Sequence, residues 1–134
     1  HPTDPQRRMA LGEALDRAGQ WQEAGLQFKE AADLNPNSMA ARRRLVELLA
    51  RAGLVGDAET ELAGVLASQV GSPDYVAARA ALAMVRRDFA GAARMLDEVT
   101  RRAPRDHAAW FALGECRLAL IDEAGARIAL EKAV

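Results

Sequence analysis

An all-α protein is the fold class that this sequence predicts, and three observations support the prediction. Alanine, the strongest helix former, supplies 30 of the 134 residues, whereas aromatic residues make up only 4%. Few aromatic or β-branched runs are left to form strands. The other two observations are a repeat of 34 residues and the helix signals that recur inside it. We therefore expect helices along the whole chain.

The 34-residue repeat is the strongest pattern in the sequence. One of its positions is alanine four times, at Ala24, Ala58, Ala92 and Ala126. Four residues further on stand Phe28, Leu62, Leu96 and Leu130, and three residues after those come Ala31, Val65, Val99 and Ala133. Gly12 and Gly114 lie three periods apart, and Pro36 and Pro104 lie two periods apart. A period of about 20–50 residues indicates an array of stacked units.

Helix-start signals recur at matching places. Thr3-Asp4-Pro5 and Ser72-Pro73-Asp74 each place a capping side chain before a proline at the first helical position. Asp106 is a candidate cap for the first helix of the last unit, and the second helix of that unit is expected to follow Asp122. Each unit therefore contains two predicted helices, or eight in all.

Helix-stop signals complete the pattern. Gly19 and Gly53 are expected to end first helices, because glycine readily takes the left-handed conformation that closes a helix. The second helix of the first unit is predicted at about residues 21–34, where Asn35-Pro36 ends it, since proline disfavours a helical residue before it. In the second unit, the second helix is expected to extend past Val65.

Small residues in the repeat predict close packing between helices. Gly12 and Gly114 on first helices are expected to face the alanine row of second helices. The large side chains four residues after those alanines are expected to reach the neighbouring hairpin; they are Phe28, Leu62, Leu96 and Leu130. No hairpin could bury its apolar face alone, so four stacked hairpins would share one core as a right-handed solenoid.

In residue types and spacing, the chain resembles the tetratricopeptide repeat family, whose signature reads W-x2-L-G-x2-Y, then A-x3-F, then P. The first unit contains Leu11-Gly12, Ala24-x3-Phe28 and Pro36. The last unit contains Trp110-x2-Leu113-Gly114 and Ala126-x3-Leu130. The resemblance covers nearly the whole chain.

The chain departs from the signature at three places. Arg79 replaces a leucine in the third unit, Arg117 replaces the tyrosine in the fourth, and Val70 replaces the proline in the second. The resemblance nevertheless implies an α-α superhelix in a single domain over residues 1–134. Its four helix-turn-helix units would cover about residues 5–38, 39–72, 73–106 and 107–134, the last of them incomplete.

The resemblance also implies a scaffold that binds proteins and has no catalytic activity. In this family the first helices line a concave groove that holds an extended peptide or a helix of a partner. The groove-facing candidates here are Met9, Glu13, Arg17, Arg43, Glu47, Arg51, Ala77, Ala81, Met84, Phe111, Glu115 and Leu118. The first two units would offer charged side chains, with Arg43 and Arg51 as candidates to hold a ligand carboxylate, and the last two mainly apolar ones.

One subtype of the family does not fit the sequence. Members that bind the acidic C-terminal tail of a chaperone hold its carboxylate with lysine and asparagine side chains on first helices. Glu13 and Glu47 stand where those asparagines would be. Glutamates would repel an acidic tail, so this specificity is not expected.

No catalytic residue, metal site or cofactor site is predicted. Neither His1 nor His107 has a second metal ligand at a suitable spacing, and His107 is expected at the surface. Cys116 is expected to be a small buried thiol rather than a nucleophile. Trp21 and Trp110 stand at large aromatic positions of the repeat and are expected in the core.

Charge and length exclude other partner classes. With 18 basic and 19 acidic residues the net charge is −1, which gives no general attraction for nucleic acid or an anionic membrane. No apolar run reaches the roughly 18 residues that cross a bilayer. One cysteine is compatible with either a cytoplasmic or a periplasmic location.

Three alternatives to a groove-binding scaffold stay open. The chain could be the repeat region of a larger enzyme or of a secretion or assembly component. An RNA-binding helical repeat is disfavoured by the acidic row of Glu13, Glu47 and Glu115. Self-association is the third alternative, through an apolar end face at the C-terminus. The residues of that face are Leu118, Leu120, Ile121, Ile128 and Val134.

Overall fold

The computed structural model describes the backbone of residues 4–120 and 123–133, and the side chains of residues 4–120 and 127–133. The predicted all-α class is confirmed, and the described residues form eight α-helices in antiparallel pairs with no strand. The helices are α1 (Pro5–Arg17), α2 (Trp21–Leu34), α3 (Met39–Arg51), α4 (Val55–Ala63), α5 (Pro73–Val85), α6 (Phe89–Arg102), α7 (His107–Ala119) and α8 (Glu123–Ala133). A single turn of 3₁₀ helix, Ala67–Gln69, follows α4.

The chain divides into two compact units, His1–Val70 and Gly71–Val134. Within the first unit, α1 packs on α2, α2 on α3 and α3 on α4. Within the second unit, α5 packs on α6, α6 on α7 and α7 on α8. Each helix therefore finds its main packing partners next to it along the chain.

The turn between the two helices of a hairpin has the same geometry three times. Gly19 and Gly53 have φ of +81° and +82°, which confirms them as left-handed helix stops. Arg87 occupies the same place of the next repeat with φ of 64°. In each turn the following amide, as in Gln20 N–H to Leu15 O at 2.9 Å, closes the end of the helix. The residue type does not predict a helix stop at Arg87, because arginine rarely takes a left-handed conformation.

Polar side chains cap most of the first helices as expected. Asp4 accepts a hydrogen bond from the Gln6 amide, and Ser72 accepts one from the Tyr75 amide, each just before a proline at the first helical position. Asp106 caps α7 through the Ala109 amide at 3.0 Å. Two residues of the predicted start signals, Thr3 and Asp122, lie outside the described residues.

Helix α4 is shorter than the sequence predicts. It ends at Ala63, so Val65 lies beyond it and not within it as expected. Arg42 from α3 donates from Nη1 to the Glu61 backbone oxygen at 2.8 Å, which satisfies one of the carbonyls left free at this end. The same Nη1 would lie only 2.8 Å from a Cβ at Gly64, so the arginine fits beside this turn because residue 64 has no side chain.

Two helical glycines lie close to the second helix of their own hairpin. A Cβ on Gly12 would lie 2.7 Å from Cε1 of Phe28, and one on Gly114 would lie 2.8 Å from Cγ of Leu130. The atoms nearest to each glycine therefore include those of the large residue of its own hairpin. Phe28 is fully buried against α1 and also belongs to a cluster with Leu45 of α3.

Each compact unit has its own buried core. In the first, the core centres on Ala24, Phe28 and Leu48. In the second, it centres on Leu96, Val99, Leu113 and other buried residues of α5 to α8. The tryptophans are less buried than expected, because Trp21 is 40% exposed and Trp110 is only partly buried.

Candidate peptide-binding faces

The candidate residues on α1 border a cavity in the first compact unit. Met9 and Glu13 line this cavity, of about 330 Å³, together with Ala40 and Ala41 of α3. Met9 also packs against the buried core, so only part of its side chain faces the cavity. The structure thus places two candidates on one concave surface between α1 and α3.

The candidate charges on α3 already have carboxylate partners. Arg43 is only 8% exposed and donates from Nε to Oε2 of Glu47 at 3.1 Å, one turn further along α3. Arg51 donates to Oδ2 of Asp16 on α1 at 2.8 Å. A ligand carboxylate would therefore have to displace a carboxylate of the chain from either arginine.

A second ion pair joins α1 and α3. Arg44 Nη2 lies 3.4 Å from Oε2 of Glu13, and the Arg44 guanidinium also lies over the Phe28 ring, 5.9 Å from its centre. Arg17, at the end of α1, is exposed. The α1 and α3 face of the first compact unit thus presents charges of both signs, and most of them are paired with an opposite charge of the same chain.

In the second compact unit, the candidates on α5 are mostly covered. Ala77 is 3% exposed and belongs to the core, while Ala81 and Met84 are half-buried. Val85 follows them at the end of α5 with 39% exposure. Helix α5 therefore offers a small apolar surface near its C-terminal end.

Helix α7 exposes the largest apolar candidates. Phe111 is 53% exposed and Leu118 is 52% exposed, and their spacing of seven residues places them on one face of the helix, two turns apart. Glu115 lies between them on that face and is also exposed. Shielding by the surrounding chain raises the pKa of the Glu115 carboxyl above its usual value. A cation beside this carboxylate would favour its charged form.

Cys116 and His107 have the positions expected for them. The Cys116 side chain is fully buried, and burial, with a smaller contribution from the Glu115 charge, raises the pKa of its thiol to about 11. His107 is exposed at the start of α7, with Nδ1 3.3 Å from the Lys132 carbonyl oxygen. A thiol of this pKa is almost entirely protonated near neutral pH and is a poor nucleophile.

In the part of the chain that the structure describes, no group of three or more histidine, cysteine, aspartate or glutamate side chains is arranged to hold a metal ion. Over the same residues, none of the helices is both long and apolar enough to cross a membrane.

One surface was not identified from the sequence. A cavity of about 380 Å³ lies between α2 and α4 in the first compact unit, with α3 as its floor. Its rim includes Trp21, which the repeat pattern predicts in the core, and Leu26, which is 63% exposed. Gly25, in the middle of a helix beside that leucine, was the available signal.

Two sequence profiles of the tetratricopeptide repeat family match this chain, one over residues 17–82 and the other over residues 75–134. A search of curated proteins finds no match. Among solved structures, the chain is similar to a thermophilic tetratricopeptide repeat protein of Thermus thermophilus, with 19% identity, a TM-score of 0.75, and coverage of 96% of this chain and 72% of the other.

Two further solved structures share the fold. MamA of Desulfovibrio magneticus is 19% identical with a TM-score of 0.59, and the match covers 98% of this chain and 74% of MamA. PilF of Pseudomonas aeruginosa is 19% identical with a TM-score of 0.68, over 96% of this chain and 59% of PilF. Identities this low establish a common fold and carry no information on partners.

Proposed function

Because this chain belongs to the tetratricopeptide repeat family, whose domains typically bind proteins and are generally non-catalytic, we propose that it is an adaptor for a peptide segment or helix of another protein. The partner would contact the faces of the first helices, which are α1 and α3 in one compact unit and α5 and α7 in the other. The division into repeats of about 5–38, 39–72, 73–106 and 107–134 belongs to the same proposal.

The exposed apolar face of α7 supports this proposal most directly. Phe111 and Leu118 each keep about half of a large apolar side chain in water. Full burial of such a side chain is worth about 1.5–3 kcal/mol, so two of them on one face can anchor a partner segment. Glu115 between them would favour a segment that carries a lysine or arginine beside its apolar residues.

The α1 and α3 face contributes in a different way. Its arginines are bound to carboxylates of the chain, so a ligand would exchange ion pairs rather than find isolated charges. Such exchanges add specificity more than affinity. Arg17 is exposed, so it can be replaced on this face without disturbing the core. Arg43 is a poor choice, because a glutamate there would place a second carboxylate beside Glu47 and destabilise the fold.

Site-specific photo-crosslinking tests the proposal. A photoreactive phenylalanine analogue at residue 111 preserves the aromatic side chain. The same analogue at residue 70, which belongs to none of the proposed binding faces, serves as the matched control, because Val70 is 57% exposed. We expect a partner protein to be crosslinked from position 111 in cells, and this product to disappear with Leu118→Ser. Equal products from both positions, or products indifferent to Leu118→Ser, would contradict binding by the α7 face.

Self-association is the second candidate function, and the exposure of Leu120 and Ile128 favours it. Leu120 is 47% exposed, and Ile128 is 58% exposed, the second-highest value after Leu26 among the large apolar residues whose side chains the structure describes. Ile121 and Val134, which the sequence places in the same end face, lie outside the described residues. Sedimentation equilibrium of the wild type and Ile128→Ser distinguishes the two functions, because a dimer lost in the variant supports self-association and a concentration-independent monomer opposes it.

A further inference from the structure

We infer that the groove between α2 and α4 in the first compact unit binds a segment of another protein that carries a large apolar side chain next to a lysine or arginine. The walls of this groove come from two second helices, whereas the cavity beside Met9 and Glu13 lies between α1 and α3. Its volume of about 380 Å³ is within the range of small ligand sites and accommodates one large side chain.

The apolar character of the groove comes from its floor and one wall. Leu45, Leu48 and Leu49 of α3 form the floor, and Trp21 and Leu26 of α2 form part of the wall. Trp21 and Leu26 are 40% and 63% exposed, although each belongs to a residue type that is usually buried. An apolar side chain in the groove would cover both.

Gly25 keeps the groove open. It lies inside helix α2, where glycine is less favourable than alanine, and no left-handed backbone conformation explains it. A Cβ at this position would lie 3.7 Å from Leu48 and 3.9 Å from Leu45, which is ordinary contact distance. Neither backbone geometry nor close packing therefore requires the glycine, whereas any longer side chain would extend into the groove.

The opposite wall of the groove is acidic. Asp57 and Glu61 lie one turn apart on α4, and Asp57 is exposed. The Glu61 side chain is 13% exposed, and among the described residues its Oε2 has no hydrogen-bond donor, since Arg42 is 3.8 Å away and donates to the backbone instead. Because Oε2 is itself buried, a ligand cation would reach Glu61 through Oε1, the oxygen that holds Lys29.

Lys29 shows where a ligand cation would bind. Its Nζ lies 2.9 Å from Glu61 Oε1 across the groove and 3.8 Å from Asp33 on its own helix. The side chain is 47% exposed and has Asp33 as a second carboxylate, so it can leave Glu61 when another cation arrives. The acid that binds Lys29 across the groove is thus the acid that would select a basic ligand.

The test uses a short amphipathic peptide of leucine and arginine, and the same peptide with glutamate in place of arginine, titrated into isotope-labelled full chain. The indole N–H signal of Trp21 reports the groove, and that of Trp110, which donates to the Pro104 carbonyl in the other unit, is the internal control. We expect saturable shifts of the Trp21 signal with the arginine peptide only. No Trp21 shift, or equal shifts with both peptides, would overturn the inference.

Two matched pairs of variants sharpen the result. Gly25→Met should weaken binding at least about tenfold by filling the groove, whereas Gly56→Met, at a helical glycine with open space around it, should not change binding. Lys29→Met should tighten binding several-fold by freeing Glu61, whereas Lys132→Met removes the same charge from α8 without effect. Equal effects within either pair would show non-specific attraction and refute the site. The site would also be refuted if sedimentation showed that the Trp21 shift occurs only when the protein dimerises.

Discussion

The ring of Phe28 occupies the space that a side chain on Gly12 would need, with Cε1 2.7 Å from the position of a Cβ. Leu130 stands in the same relation to Gly114 three repeats later, at 2.8 Å. In the third repeat the corresponding residues are Ala80 and Leu96, both buried in one cluster. In these three repeats the first helix thus has a small residue at the position where the second helix has a large one.

Gly12→Ala is expected to destabilise the protein by about 1–3 kcal/mol, because the added methyl group overpacks the core against Phe28. Helix propensity alone would favour alanine by about 1 kcal/mol, so a net loss identifies the steric conflict. Urea denaturation measures the change. The double variant with Phe28→Leu, which reproduces the Ala80 and Leu96 pair, should lose less than the sum of the single losses. Simple additivity would show that the two residues do not compete for space.

Arg87→Gly is expected to be more stable than Arg87→Ala by about 1 kcal/mol, because both remove the arginine and only glycine relieves the left-handed backbone. Comparison with alanine is needed because the Arg87 guanidinium also lies over the Phe89 ring, 5.4 Å from its centre. Thermal and urea unfolding give the difference. Gly53→Ala, at the same place of the previous repeat, should lose a similar amount, and equal stabilities of Arg87→Gly and Arg87→Ala would refute the backbone argument.

Gln20→Asn is expected to stabilise the protein by about 0.5–1 kcal/mol by supplying a missing cap on α2. Gln20 and Asp88 precede equivalent helices with nearly equal backbone angles, φ/ψ of −93°/69° and −88°/71°. Asp88 accepts a hydrogen bond from the Gly91 amide at 3.0 Å, whereas the Gln20 side chain caps nothing. Asparagine is chosen instead of aspartate because its neutral side chain avoids repulsion from Glu23, three residues further on. Asp88→Ala, measured in the same denaturation series, should lose about 1 kcal/mol, and no gain from Gln20→Asn would argue against equivalent geometry.

The Cys116 thiol makes stability depend on pH at the alkaline end. Its pKa rises from an ordinary 9.0 to about 11 on folding, so between these values the folded chain holds a proton that the unfolded chain has lost. The free energy of unfolding should therefore fall as the pH rises from about 9 to about 11. Urea titrations near pH 8 and pH 10.5 measure this fall, which should be smaller in Cys116→Ala. An identical fall in both proteins would assign it to tyrosine and lysine instead.

The helices were largely predictable because local chemistry sets them. The predicted helix at residues 21–34 agrees with α2, and the stops at Gly19 and Gly53 are confirmed by their positive φ. The early end of α4 was not predictable, since it depends on Arg42 reaching the last turn from α3. The stop at Arg87 follows from the repeat period and could not be inferred from arginine itself.

The chemistry of the candidate residues was less predictable than their repeat positions. Repeat position suggests Phe111 and Leu118 as groove residues, and both are exposed on α7. It also suggests Arg43 as a residue that holds a ligand carboxylate, whereas that guanidinium is buried and bonded to Glu47. Ion pairing between helices depends on side-chain geometry that a repeat pattern does not contain. Binding by any of these residues remains a prediction.

The packing of each helix against its neighbours along the chain has a kinetic consequence. Contacts between α1 and α2, or between α7 and α8, close loops of only a few residues and lose little chain entropy. Proteins dominated by such local contacts fold within microseconds to milliseconds. Either compact unit can therefore begin folding at any hairpin and grow outward, so a nascent chain can acquire structure hairpin by hairpin as it leaves the ribosome.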